Sequence, residues 1–144
     1  MSLIIVPDTH VLISGGTISS SYTGQIISAW RKGTIDIATS DPILREVRQV
    51  LDYPAIEKIN HWKSEDKDGF IRDLRGSAIL AAGNSSVSIS KDPKDDIFFA
   101  CALEVGAEYI VSKDRHLLDV ESYFGTVVVK PGYFVEQVLR KIKI

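Results

Sequence analysis

The chain reads as an α/β protein built on a mostly parallel sheet. Two observations predict this. Short apolar runs rich in Ile and Val alternate along the sequence with longer stretches whose apolar residues recur at helical spacing. Helix caps, prolines at helix starts and glycines at helix ends punctuate that alternation.

Leu3-Ile4-Ile5-Val6 is the first strand, and Pro7 is expected to end it, since proline cannot donate to a central ladder. Asp8-Thr9-His10 is the loop at its carboxyl end; residues 11–13 continue apolar, and Gly15-Gly16 break that element. Residues 19–23 offer caps for a helix over 24–31, with Ile26, Ile27 and Trp30 on one face and Lys32-Gly33 at its end. Residues 35–38 are a second strand. Ser40 or Asp41 caps the next helix, with Pro42 at its first position and Leu44, Val47 and Leu51 at helical spacing. Two further helices are expected over 54–62 and 65–82, the latter with Leu74, Ala78, Ile79 and Ala82 as its apolar face. Val87-Ser88-Ile89 alternates like a strand. A strongly apolar helix runs from Asp95 to Val105 and stops at Gly106. Strands follow at 109–111 and 126–129, separated by a loop with one helical turn, and Pro131 opens a final helix to Lys141. With no repeat, linker or low-complexity segment, the 144 residues are read as one domain, 1–144.

A hydrophobic fraction of 44% supports a packed core, and with 25% charged residues the chain does not read as disordered. The net charge of −2 is not that of a constitutively basic nucleic-acid binder, although local basic patches remain open. The single cysteine, Cys101, lies in an apolar run; it forms no internal disulfide and is expected to be a small core residue. No apolar stretch reaches the ~20 residues of a membrane span, and no signal-peptide pattern opens the chain. A soluble, cytoplasmic protein with no membrane partner is expected.

Four acids, Asp8, Glu46, Asp96 and Asp114, each stand where a strand should end or a helix begin. In open parallel sheets, ligands sit beyond the carboxyl ends of the strands. Asp8 follows the first strand directly, and Asp114 follows the strand 109–111 after Ser112 and Lys113. Asp96 opens the helix before that strand, and Glu46 lies one turn into its own helix. Singly, each acid also fits a cap, a turn or a solvated helix face. Jointly they map to one sheet edge. Converging carboxylates repel, and burial raises their pKa values, unless a cation neutralises them. Oxygen donors without a His/Cys cluster select Mg²⁺ or Mn²⁺ over zinc. One or two such ions would activate a water and stabilise the leaving oxygen of a phosphodiester.

The same residues resemble a known family. Val6-Pro7-Asp8-Thr9-His10 is similar to the opening acid motif of PIN domain nucleases, usually Asp-Thr-Asn. Thr39-Ser40 with Leu44-Arg45-Glu46-Val47 resembles the second motif, in which a helix supplies a Glu. Lys91-Asp92-Pro93-Lys94-Asp95-Asp96-Ile97-Phe98-Phe99-Ala100 resembles the third, with Asp96 aligned to its acid, and Ala107 to Leu118 the last. Pro131-Gly132-Tyr133-Phe134 is similar to the closing segment. The resemblance implies a Rossmann-like three-layer α/β/α sandwich and an Mg²⁺- or Mn²⁺-dependent ribonuclease held by Asp8, Glu46, Asp96 and Asp114. It also implies the toxin component of a toxin–antitoxin pair (the VapC type), with RNA as substrate, an antitoxin protein as partner and a homodimer as assembly. A PIN-fold binding module that has lost turnover is the alternative. Asp95 and Ser112 are candidates to support the acids. His10 stands where the family has Asn, and three readings stay open: a scaffold replacement, a direct metal contact or impaired catalysis. Arg45, Arg48, Lys91, Lys94, Lys113 and Arg115 flank the motifs and could hold RNA phosphates or form a solvated face. Trp30 and Trp62 could stack bases, although the helical spacing of Trp30 favours the core.

Overall fold

The aliphatic run Ile4–Pro7 forms β1 at the centre of a six-stranded sheet with strand order β3-β2-β1-β4-β6-β5. The computed structural model describes residues 2–17, 21–83, 85, 87–89 and 92–142. The other strands are β2 (Asp36–Thr39), β3 (Ile79–Leu80), β4 (Tyr109–Val111), β5 (Ser122–Tyr123) and β6 (Thr126–Val129). All pairings are parallel except β5 with β6. Ile5, Val6, Ile37, Ala38, Ile110 and Val111 are fully buried, as expected of central parallel strands covered on both faces.

The helices are α1 (Thr9–Thr17), α2 (Tyr22–Arg31), α3 (Asp41–Leu51), α4 (Pro54–Asn60), α5 (Ser64–Ser77), α6 (Asp96–Val105), α7 (Arg115–Leu118) and α8 (Pro131–Tyr133), with looser helical turns continuing to Lys141. Right-handed crossovers fix their sides. The path β1→β2→β3 runs one way across the sheet and puts α1 to α5 on one face. The return from β3 to β4 and onward to β6 puts α6 and α7 on the other. Packing agrees: α1 lies against α2 and α3, and α3 against α5, while α6 lies on β1, β2 and β4. The result is the three-layer α/β/α sandwich expected from the sequence. No described helix is long and apolar enough to cross a membrane.

As expected, β1 ends at Pro7, which pairs with Val111 and whose missing N–H falls at the end of the ladder. Three local expectations are corrected. Thr9 opens a helix that runs through Gly15 and Gly16 to Thr17. Gly15 is there for packing: a Cβ would come within 2.8 Å of the Thr23 carbonyl, so its absence lets α2 lie close on α1. The helix over 65–82 stops at Ser77, and Ile79–Leu80 pairs with Ala38 and Thr39 as an edge strand. Conversely, residues 87–89 form no strand. The antiparallel β5 was not foreseen; its two residues are too few to carry a periodic signal. Ser19, Ser20, Ser86, Ser90 and Lys91 lie outside the described residues.

Cys101 is buried and its thiol is pushed up to about 12 by desolvation, which makes it an inert core group. Trp30 is also buried, with Arg31 stacked 4.3 Å over its ring, and Trp62 packs on Phe70 at 5.1 Å between ring centroids.

Candidate active site

The strand order reverses between β1 and β4, and their carboxyl ends open the crevice where ligands bind in such sheets. Asp8 is the first residue past β1 and Asp114 the third past β4. The Asp8 N–H donates to the Val111 carbonyl at 3.0 Å, continuing the ladder to the brink of the crevice. Asp8 also caps α1: its Oδ1 accepts the Val11 N–H at 2.9 Å. Its Oδ2 accepts a short hydrogen bond from the Ser112 hydroxyl. Ser112 is fully buried and accepts the Asp114 N–H at 2.8 Å, so one hydroxyl joins the two strand ends. Asp114 caps α7 by accepting the His116 N–H at 2.8 Å. On α3, itself capped by Ser40, Glu46 accepts a short hydrogen bond from the Thr9 hydroxyl.

Asp8, Glu46, Asp95 and Asp114 line one cleft of about 440 Å³, with Arg45, Lys94, His10 and Tyr53 on its walls. The electrostatics of the cleft reflect the same convergence. Burial pushes Asp95 up to about 6, and the charges of Asp114, Asp92 and Glu46 push the same way. Burial also raises Asp8; its hydrogen bonds from Ser112 and Val11 oppose that, His10 lowers it and Asp114 raises it. Among the described residues, no Lys or Arg forms an ion pair with any of the four acids.

The third motif is placed differently from expectation. Asp95 closes the tight turn Pro93–Asp95 and faces the cleft, whereas Asp96 begins α6 and its Oδ1 accepts the Ile89 N–H at 3.2 Å. Asp96 lines a separate hollow with Ser40 and Gly83. Successive residues at a helix start point about 100° apart, and here Asp95 lines the cleft while Asp96 lines the other hollow.

Asp95, Asp114 and His116 bring one potential ligand atom each within 4.8 Å of one another. His116 was not singled out in the sequence; its signal was its place two residues after Asp114, within the same cap. Thr9 was likewise passed over. The donor set fits a divalent ion: burial and then the charges of Asp114, Asp92 and Glu46 hold Asp95 above its ordinary range, with no Lys or Arg among the described residues ion-paired to the cleft acids, which is the deficit such an ion removes. The imidazole shifts the preference from Mg²⁺ toward ions such as Mn²⁺.

Of the expected phosphate contacts, Arg45 and Lys94 line the cleft. Lys113 and Arg115 are exposed beside it, with Lys113 facing a neighbouring cavity. Arg48 is committed elsewhere, to Asp52 and Asp68 at 2.9 Å each. Lys91 lies outside the described residues.

A family model described as a PIN domain matches residues 4–116. Among solved structures, the chain is similar to the RRP44 PIN domain of T. brucei, with a TM-score of 0.51 at 13% identity, covering 97% of this chain and 83% of that one. At that identity the likeness speaks for the fold. No curated protein matches.

Proposed function

The chain belongs to the PIN domain family, a nuclease fold, and we propose that it is a metal-dependent endoribonuclease. One observation supports this reading above the others: four carboxylates, Asp8, Glu46, Asp95 and Asp114, share a cleft without a paired Lys or Arg. Asp95, Asp114 and His116 would hold Mg²⁺ or Mn²⁺, with Asp8 and Glu46 lining the same cleft, and Asp96 supports the loop at Ile89 instead. A divalent ion bound there supplies an acidified water and positive charge for the leaving oxygen of a phosphodiester.

The chain's own residues set that site up. Ser112 and the Val11 N–H fix the Asp8 carboxylate from two directions, and Thr9 fixes Glu46. Arg45 and Lys94, which both line the cleft, would take RNA phosphates and offset the repulsion an acidic cleft exerts on a polyanion. His10 stands exposed at the rim, where its charge favours ionised Asp8. That position supports the scaffold reading of His10 over direct ligation.

The likeness of the Asp-Pro-x-Asp-Asp stretch to toxin nucleases supports a narrower proposal, that the chain is the toxin of a toxin–antitoxin pair and works as a homodimer inhibited by an antitoxin protein. The test is cleavage of a mixed RNA pool by the purified chain. Products are expected with Mn²⁺ or Mg²⁺, and none with EDTA or in the Asp95→Asn protein. Cleavage that persists in EDTA would refute the metal-dependent reading. Co-purification with a small protein encoded beside the gene, with loss of cleavage in the complex, would support the toxin role.

A further inference from the structure

Beside the acidic cleft lies a second hollow, a cavity of about 180 Å³ lined by Val11, Ile13, Ile56 and Ile59, with His10 and Lys113 at its cleft side. His10 borders both hollows, so the two are neighbours with one side chain between them. We propose that this cavity takes a single pyrimidine base of the RNA strand, splayed out next to the phosphate in the acidic cleft. The proposal rests on the nuclease reading and adds a specificity pocket to it.

Three features support a pyrimidine. The first is size: apolar cavities of roughly 150 Å³ hold one benzene ring, so this one suits one six-membered ring and is small for a fused purine. The second is the wall chemistry. Branched aliphatic side chains offer a dry face for a flat ring, as in the mostly apolar pockets that take small organic groups.

The third is an unmet donor. Asn60, the last residue of α4, also lines the cavity. Its Oδ1 accepts the Trp62 N–H at 3.1 Å, which assigns the other atom as the amide nitrogen. That Nδ2 is buried and has no hydrogen-bond partner. Pyrimidines carry a ring carbonyl, and a carbonyl reaching this wall would satisfy the amide. Ile59, 64% exposed at the mouth, is the side chain that must give way to admit it. Lys113 is exposed on the same rim and neighbours Asp114, so it can hold the phosphate between the seated base and the acids.

The test combines two readouts on the full chain. Isoleucine methyl spectra in EDTA are recorded while r(U)4 or r(A)4 is added, and cleavage of the same sequences within longer RNAs is measured in Mn²⁺. Shifts of Ile13, Ile56 and Ile59 methyls with r(U)4, at about tenfold lower concentration than with r(A)4, are expected. Asn60→Asp keeps the acceptor for Trp62 but removes the donor, and should weaken r(U)4 binding about tenfold while leaving r(A)4 unchanged. Ile59→Trp should fill the mouth and abolish the preference. Shifts with r(U)4 but no cleavage of any RNA would refute the nuclease reading and leave the pocket standing. Cleavage without pyrimidine preference and with unmoved methyls would leave the nuclease and overturn the pocket. Methyls that respond equally to both tetranucleotides overturn it too.

Discussion

At the far end of α3, acids are met by cations. Lys67, buried on α5, reaches Asp52 at 2.9 Å and Glu57 at 2.5 Å, and Arg48 reaches Asp52 and Asp68 at 2.9 Å each. Hydrogen bonds from Lys67 and then Arg48 hold Asp52 below its ordinary range. At the sheet edge, near the other end of the same helix, Asp8 and Asp95 are held above theirs, by burial first and by one another's neighbours after that. The donors there are hydroxyls and backbone N–H groups. Arg45 and Lys94 line that cleft without forming an ion pair with its acids, so the contrast is one of placement: one cluster ties three helices together, and the other leaves negative charge for something to neutralise. Burying ionised groups in that way costs stability unless a cation arrives.

The comparison breaks most sharply at the third motif. Asp95→Asn and Asp8→Asn should each reduce RNA cleavage by at least about 100-fold, since loss of residues that merely support a ligand already costs about 10–100-fold. Asp96→Asn, outside the cleft, should cost less than tenfold. Single-turnover cleavage assays of the three proteins check this, and equal losses at 95 and 96 would move the site. Ser112→Ala comes next. It removes the donor that favours ionised Asp8 and should weaken Mn²⁺ affinity about tenfold by calorimetry, with the fold intact.

Smaller effects separate the two clusters by stability. Lys67→Met should lower the melting temperature by several degrees, because it strips a buried cation from two carboxylates. Asp95→Asn in metal-free buffer should leave the melting temperature equal or raise it, because it removes one of several repelling charges. Thermal scans decide both, and a lower melting point for Asp95→Asn would mark that residue as structural.

A pH series sharpens the same point. The proton on Asp95 is held more tightly in the fold than in the unfolded chain, with a pKa of about 6 against 3.8. Its contribution to metal-free stability is therefore full below about pH 3.8 and is lost as pH rises through about 6. Metal affinity should run the other way and climb across that window, since the ligand must be ionised. Melting curves and Mn²⁺ titrations between pH 4.5 and 7.5, in steps of about half a unit, would show the opposed trends, and parallel trends would contradict them.

Much of this was legible in the residues. Aliphatic runs, Ser40 with Pro42 and Gly106 each announced an element, and the places of Asp8, Glu46 and Asp114 followed from those boundaries. What failed had a tertiary cause. Gly15 and Gly16 read as breakers, yet the close approach of α2 makes the lack of a Cβ at Gly15 an advantage within a helix. Ile79 and Leu80 continued a helical pattern but had an open strand edge at β2 to pair with. The choice between Asp95 and Asp96 turns on where the turn Pro93–Asp95 gives way to α6, and adjacency in sequence carries no information about that.

The central claim is that the unneutralised carboxylates of the cleft bind a divalent cation. Anomalous diffraction from crystals soaked in Mn²⁺ tests it most directly. A peak is expected at Asp95, Asp114 and His116, on the side of the cleft that Asp8 lines, with carboxylate oxygens at roughly 2.0–2.6 Å and Asp96 out of reach. Manganese bound only elsewhere, with the cleft empty at saturating concentration, would contradict it.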